Sequence, residues 1–262
     1  MTEFSDKTIV ITGASSGIGA ATAVRMAREG AKIALCARNE ERLDKVAALV
    51  KEAGGKPFKY VLDVSDRSAV QKVFSHIKRD CGGMDVVINN AGIGYIGPVE
   101  TMSEADMRRV MDVNFFGVIN CTQAAIPHMK GNAGGLIVLV SSILGKRAMP
   151  SYGVYSASKF AVAGLSEALR LELAEYGIKV LLVCPTATDT GFFDNAGWDG
   201  KASRQLRGPV VMTAEAVAEQ VYRSLVSNRR ECVLSLPARL FHWLNFFCPS
   251  LVDFVVKRIM RK

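Results

Sequence analysis

The chain has 262 residues, 49% of them hydrophobic, and a formal net charge of +8. This composition excludes a disordered chain and is enough for one domain with a sizeable core, or at most two small ones. The six cysteines include no Cys-x-x-Cys pair and the three histidines show no ligand spacing, so neither a disulfide framework nor metal chemistry is favoured.

The first residues are polar, without the apolar run of a signal peptide, and we expect a reducing, cytoplasmic location.

The first predicted strand covers residues 7–12, and a helix extends from the following turn to about residue 29. Between them lies a glycine-rich turn, Gly13-Ala14-Ser15-Ser16-Gly17-Ile18-Gly19. A strand, a glycine-rich turn and a helix form the setting in which a dinucleotide pyrophosphate binds at a helix N-terminus. The spacing is G-x-x-x-G-x-G rather than the general G-x-G-x-x-G. The pattern predicts a cofactor site; the alternative is a turn with no ligand.

The second predicted strand, residues 32–37, ends in Ala37-Arg38. NAD-specific proteins place an acid near this point to bind the ribose hydroxyl. An arginine matches a ribose 2′-phosphate through charge-assisted hydrogen bonds. Arg38 therefore favours NADP(H), with NAD(H) still open; the alternative is a solvated arginine that begins the next helix.

Predicted helices 40–53 and 67–80 flank a strand at 57–62. Asp63, after that strand, is placed to contact the adenine, and Asp66 is the expected N-cap of the second helix. A fourth strand, residues 86–88, is followed by Asn89-Asn90-Ala91-Gly92. Paired amides at a strand's carboxyl end can tie neighbouring strands and lie near a cofactor.

Two helices, residues 103–111 and 114–129, precede a fifth strand at 135–140 that ends beside Ser142. Asn114 is a polar residue among apolar ones, and a satisfied buried amide is its simplest interpretation. The predicted helix 152–176 carries Tyr155 and Lys159 one turn apart on one face. An ammonium beside a phenol lowers the phenol's pKa, which allows proton transfer near neutral pH. Alone, such a pair is more often simply solvated.

A sixth strand, residues 179–184, leads into an aperiodic stretch that reaches about residue 211 and has the length of a lid. A helix at 213–227 and a strand at 232–236 follow. The alternation of apolar strands and helices predicts an α/β fold: a Rossmann-like, doubly wound parallel sheet of about seven strands with helices on both faces. We expect a single nucleotide-binding domain over residues 1–236 and a helical tail over residues 237–262.

Five motifs together resemble one family, the classical short-chain dehydrogenases/reductases, over about residues 5–236. They are the family's T-G-x-x-x-G-x-G at residues 12–19, its N-N-A-G at 89–92, the Asn at 114, the Ser at 142 and its Y-x-x-x-K at 155–159. Ser142 stands thirteen residues before Tyr155, as the family spacing requires. The chain departs from the family at Pro185-Thr186, where Pro-Gly is usual, so the local turn is expected to differ. Ser16 stands where some NADP enzymes of the family have a basic residue.

The resemblance implies an oxidoreductase that interconverts a ketone or aldehyde and an alcohol by hydride transfer. Ser142 would stabilise the carbonyl oxygen and Tyr155 would pass the proton. Lys159 would hold the ribose and lower the Tyr155 pKa, and Asn114 would anchor a water that relays protons. The implied cofactor-binding residues are Gly13, Ser15, Ser16, Gly17, Ile18, Gly19, Arg38, Asp63, Val64, Asn90, Ala91, Gly92, Tyr155, Lys159, Pro185, Thr188 and Thr190.

The tail is apolar, aromatic and basic: from Arg223 onward eight Lys or Arg face two acids. Polar residues and Pro249 interrupt it, which favours two short amphipathic helices over a spanning helix. The basic residues lie beside Leu, Phe and Trp, so peripheral contact with anionic lipid is better supported than nucleic acid. The alternatives are packing on another subunit or covering the substrate cleft.

The tail and the aromatic residues Phe192, Phe193 and Trp198 suggest an apolar substrate, although such residues often simply pack. A homo-oligomer, dimer or tetramer, is expected. A non-catalytic NADP-binding regulator on the same fold is the main alternative, and the intact Ser142, Tyr155, Lys159 and Asn114 argue against it. A nucleotide-sugar epimerase or dehydratase would need another glycine spacing and a separate substrate domain.

Overall fold

The computed structural model describes residues 3–130, 134–193 and 211–260. Seven strands form one parallel sheet, and two two-residue strands form a second. The strands are β1 (Thr8–Thr12), β2 (Lys32–Ala37), β3 (Lys56–Val61), β4 (Val86–Asn89), β5 (Gly135–Val140), β6 (Ile178–Cys184), β7 (Thr188–Asp189), β8 (Met212–Thr213) and β9 (Glu231–Val233).

The main sheet has the order β3-β2-β1-β4-β5-β6-β9, and every pair in it is parallel. The chain builds one half outward from β1 to β3, then crosses to β4 and builds the other half. Ligands of open α/β sheets bind at the carboxyl ends of the strands where this order reverses. The predicted fold class is therefore confirmed, and the glycine turn after β1 and residues 90–92 after β4 lie at that crossover.

Nine α-helices are present among the described residues. They are α1 (Gly17–Ala27), α2 (Glu40–Glu52), α3 (Arg67–Cys81), α4 (Glu104–Met111), α5 (Gly117–Lys130), α6 (Gly153–Glu172), α7 (Ala214–Val226), α8 (Leu236–Phe247) and α9 (Pro249–Met260).

Apolar strands need cover on both faces, and two buried clusters provide it. One joins the sheet to α1, α2 and α7, with Met26, Leu43 and Val221 among its members. The other joins it to α3, α5 and α6, with Phe74 and Val162. The carboxyl ends of the strands are thereby held rigidly.

Two predicted helices differ in detail from the structure. The helix expected from Asn114 begins instead with a π-helical turn, Asp112–Phe116, which leads into α5. The helix expected to reach Tyr176 ends at Glu172, and a 3-10 turn follows at Ala174–Tyr176. Gly177, in the left-handed region with φ 66°, terminates that turn because glycine adopts this conformation without steric cost.

The tail forms two helices, α8 and α9, as its interrupted apolar pattern predicts. α8 begins at Leu236, one residue before the expected boundary, and Pro249 begins α9. No helix among residues 3–130, 134–193 and 211–260 combines the length and apolar character needed to cross a bilayer.

Candidate active site

The glycine positions of the turn after β1 leave no room for a side chain. Gly13 and Gly17 have φ of 65° and 55°, which L-residues rarely adopt. A Cβ on Gly13 would lie 2.8 Å from the Cα of Ala91, and one on Gly19 would collide with the carbonyl oxygen of Gly13. The sequence keeps glycine here because the backbone of the turn packs against itself and against the end of β4.

Asn90 ties this turn to the end of β4. Its Nδ2 donates hydrogen bonds to the carbonyl oxygens of Thr12 (3.0 Å) and Gly13 (3.2 Å). The backbone N–H groups of Asn90 and Ala91 donate to Oγ1 of Thr12, at 3.0 and 3.1 Å. The expected tie between neighbouring strands is therefore present at Asn90, while Asn89 donates to Thr122 Oγ1 at 3.3 Å.

The start of α1 suits a pyrophosphate. Ser16 is the N-cap but makes no side-chain capping bond, so its hydroxyl leaves the first-turn N–H groups around Ile18 unbonded. Such uncapped N–H groups and the helix dipole attract phosphate. A Cβ on Gly17 would lie 3.1 Å from Cγ2 of Thr190, which places the loop after β6 beside the turn. Ser15, half-buried, lies within this turn. The residues present therefore fit the phosphates of a dinucleotide.

Arg38 lies at the other end of the predicted cofactor site. Its side chain is 68% exposed, and Nη1 lies 3.9 Å from Oδ2 of Asp63. Oδ1 of Asp63 accepts hydrogen bonds from the N–H (2.9 Å) and Oγ (2.7 Å) of Ser65. The guanidinium is thus held only loosely and keeps its donors available.

Val64, another predicted cofactor-binding residue, has most of its groups engaged by the core. Its side chain is buried, and a Cβ on Gly117 would lie 2.6 Å from its Cγ2. Its carbonyl oxygen accepts from Nδ2 of Asn120 at 3.0 Å. The side chain and the carbonyl are therefore used by the core, which leaves the backbone N–H as its remaining group for a ligand.

Ser142, Tyr155 and Lys159 meet at the carboxyl end of β5. Ser142 Oγ accepts from the Leu144 N–H at 3.1 Å, which orders the 3-10 turn Ile143–Gly145, and the Ser142 side chain lies close enough to Tyr155 to act on the pKa of its phenol. Lys159 Nζ donates to the carbonyl oxygen of Val140 at 3.0 Å and lies 5.8 Å from the centroid of the Tyr155 ring. Both Tyr155 and Lys159 are buried. A hydroxyl, a phenol and an amine thus lie together at this end of the sheet.

Burial dominates the pKa values of this group. It raises the pKa of Tyr155 above its ordinary range, although the neighbouring Ser142 side chain acts in the opposite direction. Burial also lowers the pKa of Lys159 to about 8. The sequence predicts a lowered phenol pKa, but the structure gives the opposite direction because loss of solvent penalises the charged phenolate.

Asn114 lies in the π-helical turn, with its side chain fully buried. Its Oδ1 accepts from the Ile93 N–H at 2.8 Å, and its Nδ2 donates to Ile93 O and Ser158 Oγ, both at 3.0 Å. Ser158 Oγ in turn donates to the Tyr155 carbonyl at 2.7 Å. The amide therefore fixes the loop that follows β4 and, through Ser158, the first turn of α6.

Glycine brings Asn114 and Lys159 close together. A Cβ on Gly92 would lie 3.2 Å from Asn114 Oδ1 and 3.5 Å from Lys159 Nζ. Ser141 Oγ, one residue before Ser142, donates to the Lys159 carbonyl at 2.8 Å. Sequence reasoning did not single out Ser141 or Ser158; their spacing next to Ser142 and on the face of Tyr155 is the signal that could have found them.

An aromatic cluster covers the Tyr155 ring. The centroids of Phe192 and Phe193 lie 5.9 and 5.8 Å from that of Tyr155, and Phe193 lies 5.7 Å from Tyr152. A Cβ on Gly94 would lie 2.6 Å from the Phe193 ring. Buried Ile96 belongs to the same cluster. Trp198, expected in this lid, lies outside the described residues.

The loop after β6 adopts an ordinary backbone. Thr186 is not among the residues with positive φ, so the expected departure at Pro185-Thr186 needs no glycine-like conformation. The Pro185 carbonyl accepts from the Ile143 N–H at 2.8 Å, which joins this loop to the turn after Ser142. Thr188 Oγ1 donates to the Thr186 carbonyl at 2.9 Å. Pro185, Thr188 and Thr190 thus line one loop between the Ser142 turn and the glycine turn.

Comparison with known proteins agrees with this geometry. The short chain dehydrogenase family model matches residues 7–199. A 3beta-hydroxysteroid dehydrogenase of Mediterraneibacter gnavus is 41% identical over 202 residues, which are 77% of this chain and 73% of that protein.

Two solved structures have the same fold. A short-chain dehydrogenase/reductase from Burkholderia phymatum in complex with NAD has a TM-score of 0.87 and 30% identity, covering 96% of each chain. An alcohol dehydrogenase from Thermococcus sibiricus complexed with 5-hydroxy-NADP has a TM-score of 0.75 and 31% identity, covering 86% of this chain and 94% of that one.

The fold and the site define a nucleotide-binding oxidoreductase on a doubly wound sheet. The chain belongs to the short-chain dehydrogenase/reductase family. It is an oxidoreductase of this family that acts on CH–OH groups with NAD(P).

Proposed function

We propose that the protein is an NADP(H)-dependent carbonyl reductase or alcohol dehydrogenase acting on an apolar substrate. It would interconvert a ketone or aldehyde and the corresponding alcohol by hydride transfer. One observation carries the proposal: Ser142, Tyr155 and Lys159 meet at the carboxyl end of β5, where the glycine turn of β1 also opens.

We assign the following roles to the side chains, as the family resemblance implies. The nicotinamide, when bound, supplies or accepts the hydride. Ser142 Oγ donates a hydrogen bond to the substrate oxygen and stabilises the negative charge that develops there. Tyr155 passes a proton to that oxygen in reduction and takes one in oxidation. Its raised pKa keeps the phenol protonated at neutral pH, which suits a proton donor.

Lys159 and Asn114 support this transfer. Lys159 has a pKa of about 8, so most of it is an ammonium at neutral pH, able to hold ribose hydroxyls and to return a proton. We assign Asn114 to the water relay behind Lys159. Because the Asn114 amide is bonded to Ile93 and Ser158, it also fixes the position of Tyr155.

NADP(H) is the proposed cofactor. The exposed Arg38 guanidinium, at the end of β2 and 3.9 Å from Asp63, has free donors for a 2′-phosphate. No acid follows β2 directly, where an NAD-specific site would bind the ribose. The same site can accept NAD(H) with lower affinity.

An apolar substrate is supported by what surrounds Tyr155. Phe192, Phe193, Tyr152 and Ile96 form the apolar cover over its ring. A substrate that reaches the phenol must contact these side chains. Removing apolar surface from water is favourable, so an apolar substrate binds here better than a polar one. The steroid in the name of the Mediterraneibacter relative agrees with this class.

A homo-oligomer in the cytoplasm is the proposed state, with no nucleic-acid partner. Phe116 and Phe160, beside α5 and on α6, are half exposed on the outer surface, where burial against a second copy would stabilise an assembly.

The test is a panel of ketones and alcohols of increasing apolar size, with NADPH and NADP⁺ consumption followed by absorbance and the same panel repeated with NADH and NAD⁺. We expect turnover that rises with apolar size and is faster with the phosphorylated cofactor. If the protein binds NADPH but turns over no carbonyl or alcohol, it is instead the non-catalytic regulator.

A further inference from the structure

The helices α8 and α9 leave large apolar side chains in solvent. Phe246, Phe247 and Phe254 are 71%, 68% and 62% exposed. Trp243 stacks on Phe247 with a centroid separation of 5.9 Å and Phe247 meets Phe246 at 5.1 Å, so these three rings of α8 are in contact, and Phe254 is exposed on α9. We name this group the tail surface, and it consists of Leu240, Trp243, Phe246, Phe247, Leu251 and Phe254.

The opposite side of these helices faces the body of the protein. Val252 and Val256, one turn apart on α9, are buried. Arg147 Nη1 donates to Asn245 Oδ1 at 2.8 Å, and Nη2 pairs with Asp253. α8 and α9 form a helical hairpin, and these contacts attach its inner side to the body of the protein. The tail surface therefore faces outward.

Among the described residues of the two tail helices, the unpaired charged side chains are positive. Arg239, Lys257 and Arg258 are exposed on the same two helices. Asp253 is the one acid in residues 237–262, and its carboxylate is paired with Arg147. An exposed apolar and aromatic surface bordered by cations is the composition of helices that lie in a lipid headgroup layer.

We propose that the tail surface docks on an anionic phospholipid membrane. The aromatic rings enter the headgroup region while Arg239, Lys257 and Arg258 pair with lipid phosphates. A second copy of the chain fits less well, because an isologous contact would bring two positively charged surfaces together. Docking is independent of the redox step proposed above.

The contact at Arg147 gives the docking a consequence for access. Arg147 lies between Ser142 and Tyr155 in the sequence, so the hairpin adjoins the segment that carries both hydroxyl groups. The docked protein therefore holds this segment behind α8 and α9, on the side of these helices that faces away from the lipid.

The test uses full-length protein and vesicles of phosphatidylcholine alone or with phosphatidylglycerol. The protein is expected to sediment with the anionic vesicles. A Trp198→Phe variant leaves Trp243 as the sole tryptophan, and its emission is expected to shift to the blue on binding. Wild-type protein that stays in the supernatant with anionic vesicles would overturn the proposal.

Two sets of variants separate the apolar and the electrostatic parts. The triple change Phe246→Ser, Phe247→Ser and Phe254→Ser is expected to abolish sedimentation, whereas Leu171→Ser, which removes an equally exposed side chain (79%) from α6, leaves it unchanged. Lys257→Gln with Arg258→Gln is expected to weaken binding about 30-fold, since each cation contributes about 1 kcal/mol near an anionic surface. Lys51→Gln with Lys72→Gln is the charge-matched control.

The charge variant alters only exposed side chains, so it remains informative if the triple variant misfolds. If the Lys51 and Lys72 control loses as much vesicle binding, the attraction depends on net charge alone. That result would overturn the proposed docking surface. Sedimentation velocity supplies the other contrary result: if the tail variants dissociate an oligomer and leave vesicle binding intact, the surface is a subunit interface.

Discussion

Lys159 Nζ donates a 3.0 Å hydrogen bond to the carbonyl oxygen of Val140, the last residue of β5 and two residues before Ser142. The bond locks the amine of α6 to the end of β5, so the position of the ammonium is set by the sheet. Because the lysine is buried, this carbonyl replaces water as the partner of one of its protons. Ser142, Tyr155 and Lys159 are therefore oriented before any ligand arrives.

Replacing Tyr155 with phenylalanine tests the proton transfer. We expect Tyr155→Phe to lower kcat by about 10²–10⁴-fold while NADPH affinity stays within a few-fold, because only the transferred proton is lost. Steady-state kinetics and NADPH fluorescence titration measure the two quantities. Tyr152→Phe, which removes a neighbouring hydroxyl and keeps the ring, should retain turnover. Near-wild-type rates in Tyr155→Phe would disprove the assigned mechanism.

Replacing Arg38 tests cofactor choice. Arg38→Ala is expected to weaken NADPH binding by about 10- to 100-fold, the usual effect of losing hydrogen bonds to a charged group. NADH lacks the 2′-phosphate and should be affected little. Calorimetric titration of both cofactors, with Lys51→Ala as an exposed control, makes the comparison. Equal losses for the two cofactors would remove Arg38 from the phosphate site.

The buried lysine predicts a pH-dependent stability. Below pH 8 Lys159 is charged in both states, and burial of the charge destabilises the folded protein in full. Between pH 8 and its ordinary pKa of 10.5 the folded protein loses the proton while the unfolded chain keeps it, so stability rises with pH. We expect Lys159→Met to lack this rise, which amounts to about 2 kcal/mol between pH 7 and 9.5.

Guanidinium unfolding of wild-type and Lys159→Met protein at each pH measures this difference. The range stops short of pH 10 because the raised pKa of Tyr155 makes the folded state lose stability once the unfolded phenol ionises. A free-energy difference between the two proteins that does not change with pH would show that the lysine titrates normally.

A pair of glycine substitutions tests the nucleotide turn. Gly19→Ala places a methyl group against the Gly13 carbonyl, and we expect it to cost about 1–3 kcal/mol and to reduce cofactor affinity. Gly164 occupies an exposed position of α6, and no atom lies within 4 Å of the methyl group that alanine would add. We expect Gly164→Ala to stabilise the protein by about 0.5–1 kcal/mol. Thermal unfolding and NADPH titration compare them; similar behaviour of the two variants would contradict the close packing of the turn.

The sequence predicts those parts of the site that arise from local patterns. Strand periodicity and glycine spacing predicted the sheet and the turn at Gly13–Gly19, since each depends on neighbouring residues. The spacing of Tyr155 and Lys159 on one helix face, with Ser142 at a strand end, placed three groups together for the same reason. Asp66, the expected N-cap of α3, accepts from the N–H groups of Ser68 and Ala69.

Features made by residues distant in sequence were not predictable. The π-helical turn around Asn114 has no sequence signature of its own, and its amide partners on Ile93 and Ser158 come from two other segments. The direction of the Tyr155 pKa depends on burial beneath Phe192 and Phe193, which lie almost forty positions later. The buried position of the Val64 side chain likewise depends on its packing against Gly117 of α5.

The bonds of Arg147 also bear on the order in which the molecule is completed. Its partners Asn245 and Asp253 stand 98 and 106 positions further along the chain. During synthesis the segment between Ser142 and Tyr155 is therefore translated about a hundred residues before these polar partners exist. Contacts of such long sequence separation close late in folding, because loop-closure entropy must be overcome first. The two ends of this segment are set early by β5 and α6, whereas its middle acquires Asn245 and Asp253 only when the final hairpin folds onto the finished sheet.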